Sequence, residues 1–172
     1  YAADRQEALE ALFVAPARRR PKRRFLMAGA LYPQDFPWCE NIYFVRHLPP
    51  SEHPAFFSSS RLTLNVTRKA MAEMGWCPSG RLFEAAACGT AILSDHWAGL
   101  ESFFTPGEEI LVARNTGEAI GALDLSDGEI ARIARAARER CLADHTSDRR
   151  AGQLLELLQG LRSRVPEMAG GA

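Results

Sequence analysis

The chain has 172 residues, 47% of them hydrophobic and 24% charged, which fits one globular domain with a real core or one domain with helical appendages. Lys plus Arg (21) equals Asp plus Glu (21), so no net field favours a nucleic acid or an anionic membrane. No apolar run is long enough for a transmembrane helix, and the first residues do not read as a signal peptide.

Tyr1 stands where an initiator methionine would, so the chain reads as a fragment of a longer protein. Leu9, Leu12 and Phe13 recur at helical spacing, with Asp4 as the expected N-cap and Pro16 just beyond the end. APARRRPKRR then reads as a basic linker. Strands are predicted at Arg24–Gly29, Asn41–Val45, Arg61–Val66, Thr90–Ser94 and Glu109–Ala113. Helices are predicted between them at Glu52–Ser58, Thr67–Met74, Gly80–Cys88, Leu100–Phe104 and Gly117–Leu123. Two longer helices close the chain, one lined by Ile130, Ile133 and Ala137, the other by Leu154, Leu155, Leu158 and Leu161; the tail AGGA reads as frayed. Near-continuously apolar strands alternating with helices imply an α/β fold, a Rossmann-like doubly wound parallel sheet covered on both faces. Residues 1–145 make up that domain, and 146–172 a helix and tail packing on it.

Cys39, Cys77, Cys88 and Cys141 form no C-x-x-C pair, and a chain of this size needs no disulfide staples. Reduced thiols in a cytoplasm are the simplest reading. Neither a G-x-G-x-x-G fingerprint nor a Walker A loop is present, and the four histidines show no metal-ligand spacing. The run Arg18–Arg24 lacks interleaved aromatics and reads as a solvated linker; salt-dependent retention of DNA or RNA would overturn that. Asn65-Val66-Thr67 matches a glycosylation sequon but falls at a strand end and reads as structural.

In a doubly wound sheet, ligands bind at the carboxyl ends of the strands, where loops enter helices. The helix of SGRLFEAAACGTAILSD opens on that rim. Ser79 is its natural N-cap, but a capping box would need Glu or Gln at position 82, which is leucine. Glu84 therefore has no capping role, and its helical neighbours Ala87 and Cys88 carry no charge. Two readings stand: a ligand-binding carboxylate, or a partner for an arginine elsewhere in the fold. Just ahead, Gly80 permits close backbone approach, the first-turn amides are free, and Arg81 can clamp an anion.

The block RLFEAAACGTAILSDHWAGLESFFTPGEEILVA resembles the donor-binding half of glycosyltransferases built from two Rossmann domains (GT-B). It is most similar to the bacterial branch related to the spore-maturation protein CgeB. YAADRQEALEALF, RRFLMAGALYP, HLPPSEHPAFF and LTLNVTRKAM extend the resemblance in order up to about Ala113. It implies a domain that binds a nucleotide-sugar donor, with no cofactor beyond that donor and no metal. The acceptor would bind an N-terminal domain of the same longer protein. Glu84 would hold the ribose hydroxyls, and Ser79, Gly80 and Arg81 the diphosphate. Such families carry a second glutamate eight positions earlier, which orients the sugar; here that position is Trp76, and Ser79, Arg81 or the 65–68 turn with Arg68 would take over. Arg46 and His47 fall where relatives contact the base, and Arg5 could approach the phosphates. The first strand of the domain, ahead of Tyr1, is absent from this sequence. The resemblance implies a glycosyltransferase whose fragment binds but does not turn over. The alternative is a non-enzymatic nucleotide-binding or partner-docking module with a degenerate donor site.

Overall fold

The computed structural model describes residues 1–162; the AGGA tail lies outside them. A continuous helical stretch opens the chain: a 3-10 turn (Ala3–Arg5), α1 (Gln6–Leu9), a π turn (Glu10–Val14) and α2 (Ala15–Arg19). The strands are β1 (Phe25–Ala28), β2 (Ile42–Val45), β3 (Leu62–Asn65), β4 (Ala91–Ser94) and β5 (Leu111–Val112). Between and after them come α3 (His53–Ser58), α4 (Lys69–Met74), α5 (Gly80–Ala87), α6 (Thr116–Asp124), α7 (Asp127–Asp144) and α8 (Ser147–Arg162). All five predicted strands are present. Of the predicted helices only Leu100–Phe104 is not an α-helix, being a 3-10 turn at Leu100–Ser102; Thr67–Met74 starts two residues later than expected, at Lys69.

The start of the chain corrects two expectations. Pro16 lies inside the helix rather than beyond it, because the π turn ends just before it and Pro16 enters the first turn of α2. The missing N–H is compensated from outside the helix, where the Ala11 carbonyl accepts from the Thr116 hydroxyl at 2.8 Å. Asp4 does not cap its own helix, either. Its carboxylate accepts from the Lys69 backbone N–H at 3.2 Å, serving α4, whose N-cap Arg68 makes no side-chain bond. Part of the expected basic linker is therefore helical. Arg18 pairs with Glu10 at 2.8 Å, while Arg20 and Arg23 converge on Asp124.

Every strand pairing is parallel, as near-continuous apolar runs such as Ala91–Ser94 demand. The ladder comes in two pieces, β1–β2 and β3–β4–β5. Among the described residues no strand joins β1 to β3. Both strands instead line one large cleft through Leu26, Met27, Leu62 and Leu64. They still share apolar packing, since Phe25, Met27 and Val66 cluster beneath Leu9, Val14 and Ala17 of the N-terminal helix. A second cluster joins α5, β4 and α7 through Leu82, Ala85, Ile92, Phe104 and Ala137.

α7 opens on a capping box between Ser126 and Glu129, and buries Ile130, Ile133 and Ala137 as expected. Leu154, Leu155, Leu158 and Leu161 of α8 are exposed rather than packed. α5 ends where Gly89, at φ +71°, turns the chain into β4 with its N–H on the Ala86 carbonyl. That turn fixes α5 against the sheet and its N-terminus on the rim.

Candidate functional site

α5 presents its first turn to the cleft. The Ser79 hydroxyl accepts from the Arg81 N–H at 3.4 Å, confirming Ser79 as the N-cap. Leu82, Ala85 and Ala86 are fully buried, which leaves Arg81 and Glu84 on the outward face. Among the described residues no arginine forms an ion pair with Glu84. Its partner is His53, at the start of α3, with Nδ1 3.8 Å from Oε2. The other imidazole nitrogen lies 3.3 Å from the Leu48 carbonyl, so the ring bridges α5 and the segment after β2.

The cleft has a volume of about 1260 Å³ and runs from the strand ends down between β1 and β3. Among the described residues Glu84 is the only acidic one lining it, against Arg5, Arg23, Arg24, Arg61 and Arg81. Two of these are neutralised from outside: Arg23 reaches Asp124 and Arg61 bonds Asp127 at 2.8 Å. Arg5 and Arg81, at the rim end, have no ion-paired carboxylate among the described residues. The Arg5 Nε is buried without a hydrogen-bond partner. Arg81 is open to solvent yet walled in by the concave cleft. Burial, and after it the charge of Arg5, lowers its pKa from the ordinary guanidinium value, against weaker support from Tyr32 and Glu84. Two guanidiniums without an ion-paired carboxylate, beside the N-terminus of α5, are an arrangement able to hold an anion.

Of the residues expected from sequence, the cleft gathers Arg5, His47, Ser79, Gly80, Arg81 and Glu84. Trp76, Arg68 and Arg46 do not line it. Trp76 has φ +55°, is 66% exposed, and lays its indole against Gly99, while its N–H donates to the Ala98 carbonyl at 2.7 Å. Arg68 is the N-cap residue of α4, and Arg46 is exposed after β2. Sequence reasoning missed His53, having weighed it only as a metal ligand. An inter-helix pair leaves no periodic trace, although His53 stands in the HLPPSEHPAFF segment that carried the resemblance. Among the described residues no group of three His, Cys, Asp or Glu side chains is arranged to hold a metal ion.

The rim is held by a buried polar knot at the ends of β3 and β4. Asn65, 1% exposed, donates from Nδ2 to Thr67 and Ser94, so the sequon asparagine is structural. The Thr67 N–H and hydroxyl both donate to Asp95, the latter at 2.8 Å. Burial raises the Asp95 pKa above the usual carboxylate value even so.

A family model described as glycosyl transferase-like matches residues 5–156, nearly the whole chain. The chain belongs to the glycosyl transferase-like family. Solved structures agree on the fold. Sucrose-phosphate synthase from Thermosynechococcus elongatus superposes with a TM-score of 0.73 at 18% identity, over 94% of this chain and 43% of that one. Anabaena HepE, solved in complex with UDP-glucose, gives 0.73 at 14% identity, over 93% and 46%. A trehalose-6-phosphate synthase, OtsA, gives 0.63 at 13% identity, over 91% and 40%. The chain thus spans less than half the length of these structures. No curated protein sequence matches it. The fold is the Rossmann-like half of a GT-B glycosyltransferase, as the resemblance implied. No helix of this glycosyltransferase-family chain, among the described residues, is long and apolar enough to cross a membrane.

Proposed function

We propose that this chain is the donor-binding domain of a bacterial, CgeB-like glycosyltransferase that moves a glycosyl group from a nucleotide sugar to an acceptor held by an N-terminal domain of the same protein. The observation that carries the reading is the convergence of Arg5 and Arg81, without an ion-paired carboxylate among the described residues, at the mouth of a cleft that Glu84 alone of their carboxylates lines. Arg81, Arg5 and the first amides of α5 take the diphosphate. As the glycosidic bond breaks, charge grows on that leaving group, and donors already aimed at it stabilise the transition state. The arginines provide the positive charge, so transfer is metal-independent. Glu84, one helical turn from Gly80, accepts from the ribose hydroxyls and transfers no proton. The 46–48 segment borders the same cleft through His47 and Leu48 and takes the base. The acceptor and any base come from the other domain, so this chain alone binds without turnover. UDP is the first candidate nucleotide, since HepE was solved with UDP-glucose.

One observation favours a second reading, a nucleotide-binding module without transfer activity. Trp76 stands where relatives would carry the sugar-orienting glutamate, and its indole lies on Gly99 outside the cleft lining. Activity of the full-length protein with a panel of nucleotide sugars separates the two.

The deciding test of the site is calorimetric titration with UDP, GDP, ADP and their sugars, repeated with Glu84→Ala. Binding by the wild type and loss of most nucleotide affinity in a folded variant are expected. Absence of nucleotide binding, or equal binding by the variant, overturns the assignment.

A further inference from the structure

We propose that His53 is a positioning residue of this cleft: it ties the Glu84 carboxylate to the Leu48 carbonyl, and its protonation state sets how firmly a ribose diol is held. The inference rests on the nucleotide reading above and goes beyond it by assigning the device that orients Glu84. The His53 ring is fixed on three sides. One nitrogen lies 3.3 Å from the Leu48 carbonyl, the other 3.8 Å from Glu84 Oε2, and Phe57 packs edge-on against it with centroids 6.3 Å apart. Glu84 has no other ion pair or hydrogen bond from its side chain among the described residues. Its Oε1 leans toward Gly80, 3.9 Å from where a Cβ would stand.

The chemistry follows from what each group can donate. A carbonyl and a carboxylate both only accept, so the neutral ring, with its single N–H, can donate to Leu48 or to Glu84 but not to both. In the neutral ring one of the two nitrogens is then a lone pair opposed to an oxygen, and the bridge between Glu84 and Leu48 is open on that side. In the imidazolium both nitrogens donate, and the ring clamps Glu84 and Leu48 together. A vicinal diol is gripped by a carboxylate whose oxygens are already oriented, because rotamer freedom lost on binding weakens affinity. Protonation of His53 therefore favours the diol-binding geometry. The groups facing this corner from the packed elements are Glu84 and Arg81 of α5, His47 ahead of α3, and Arg5 of the N-terminal turn.

The test is titration calorimetry of wild type and His53→Asn with three probes, UDP, 2′,3′-dideoxy-UDP and inorganic pyrophosphate, from pH 5.5 to 8.5. Asparagine remains polar but does not titrate. At the acid end the variant is expected to bind UDP five- to tenfold more weakly, with pyrophosphate affinity changed less than twofold. Dideoxy-UDP should bind both proteins alike, and the UDP difference should shrink toward unity as the pH rises. Comparing the two proteins at each pH cancels the titration of the nucleotide's own phosphate. Equal losses for pyrophosphate and UDP would mean a merely structural histidine, and a pH-independent ratio or unchanged UDP affinity would sink the proposal alone. Failure of the wild type to bind any probe would overturn the nucleotide reading as well.

Discussion

Arg5 and Arg81 converge on one mouth of the cleft although they carry the same charge, and neither has an ion-paired carboxylate among the described residues. Like charges held together without a counter-ion cost folding stability, so what fixes them is expected to be binding. Arg81→Ala should weaken UDP binding at least tenfold, about 1.4 kcal/mol, while the melting temperature stays constant or rises. Calorimetry and thermal unfolding on the same variant check both halves. A variant that loses stability and keeps its affinity would make Arg81 a structural residue.

Asp95 gives a pH dependence with a definite sign. Burial, the largest influence, raises its pKa, and the hydrogen bonds from Thr67 and Ser94 only partly oppose this. The folded protein thus holds the proton more tightly than the unfolded chain. Its contribution to stability is greatest in acid and declines as the pH climbs from the ordinary aspartate range through the raised value. Asp95→Asn removes that titration. Denaturant unfolding between pH 3.5 and 7 should therefore show the wild type losing ground to the variant as the pH increases. A difference constant with pH, or one of opposite slope, would refute it.

How much of this was legible in the sequence differs by residue. The strands were, because runs such as Ala91–Leu93 are apolar and lie between the punctuating residues Gly89 and Asp95. Ser79 and the rim position of Glu84 were, because capping and the helix repeat are local rules. Pro16 was misread because the π turn that accommodates it is set by packing of Leu12 and Val14, not by a local signal. Asp4 was misread because its partner, Lys69, is the first residue of α4, distant in sequence. For the same reason His53 was missed: its pairing with Glu84 spans two helices that only the sheet brings together. The leucines of α8 follow a helical period, yet period alone does not say whether a surface waits to receive them.

Gly99 and Trp76 form a contact that leaves no room for a side chain. A Cβ at Gly99 would stand 2.5 Å from one indole carbon and 2.7 Å from another, and its φ of +93° disfavours any L residue. Gly99→Ala should cost on the order of 2–3 kcal/mol, combining the clash with backbone strain. In a Trp76→Ala background the clash disappears and only the strain remains, about 1 kcal/mol. Urea unfolding of the two single variants and the double variant measures this coupling. Additive costs would show that the indole is not what confines Gly99.

The edges of β1 and β3 that line the cleft lead to the last prediction. The Phe25 and Gly29 N–H groups donate toward β2, so by strand alternation those of Leu26 and Ala28 point the other way, into the cleft. The cleft walls beside them, including Leu9, Leu12, Leu62 and Leu64, are apolar. Tyr1 sits at the upper end, its amino group donating to the Ala30 carbonyl at 2.6 Å. A strand placed in this slot and leading into Tyr1 would form a strand–helix–strand unit with β1, the crossover that parallel neighbours require. Extending the chain ahead of Tyr1 with Val-Ile-Val-Ile-Val and a short Gly-Ser-Gly turn should therefore join the two half-sheets. The melting temperature should rise by roughly 5–10 °C, as a gain of a few kcal/mol implies at this chain length. The amides of Leu26 and Ala28 should become protected from hydrogen exchange. The same extension with proline at alternate positions, which cannot donate to the neighbouring strands, should give neither effect. Equal stabilisation by both extensions would show that the slot gains from apolar filling alone and not from a completed sheet.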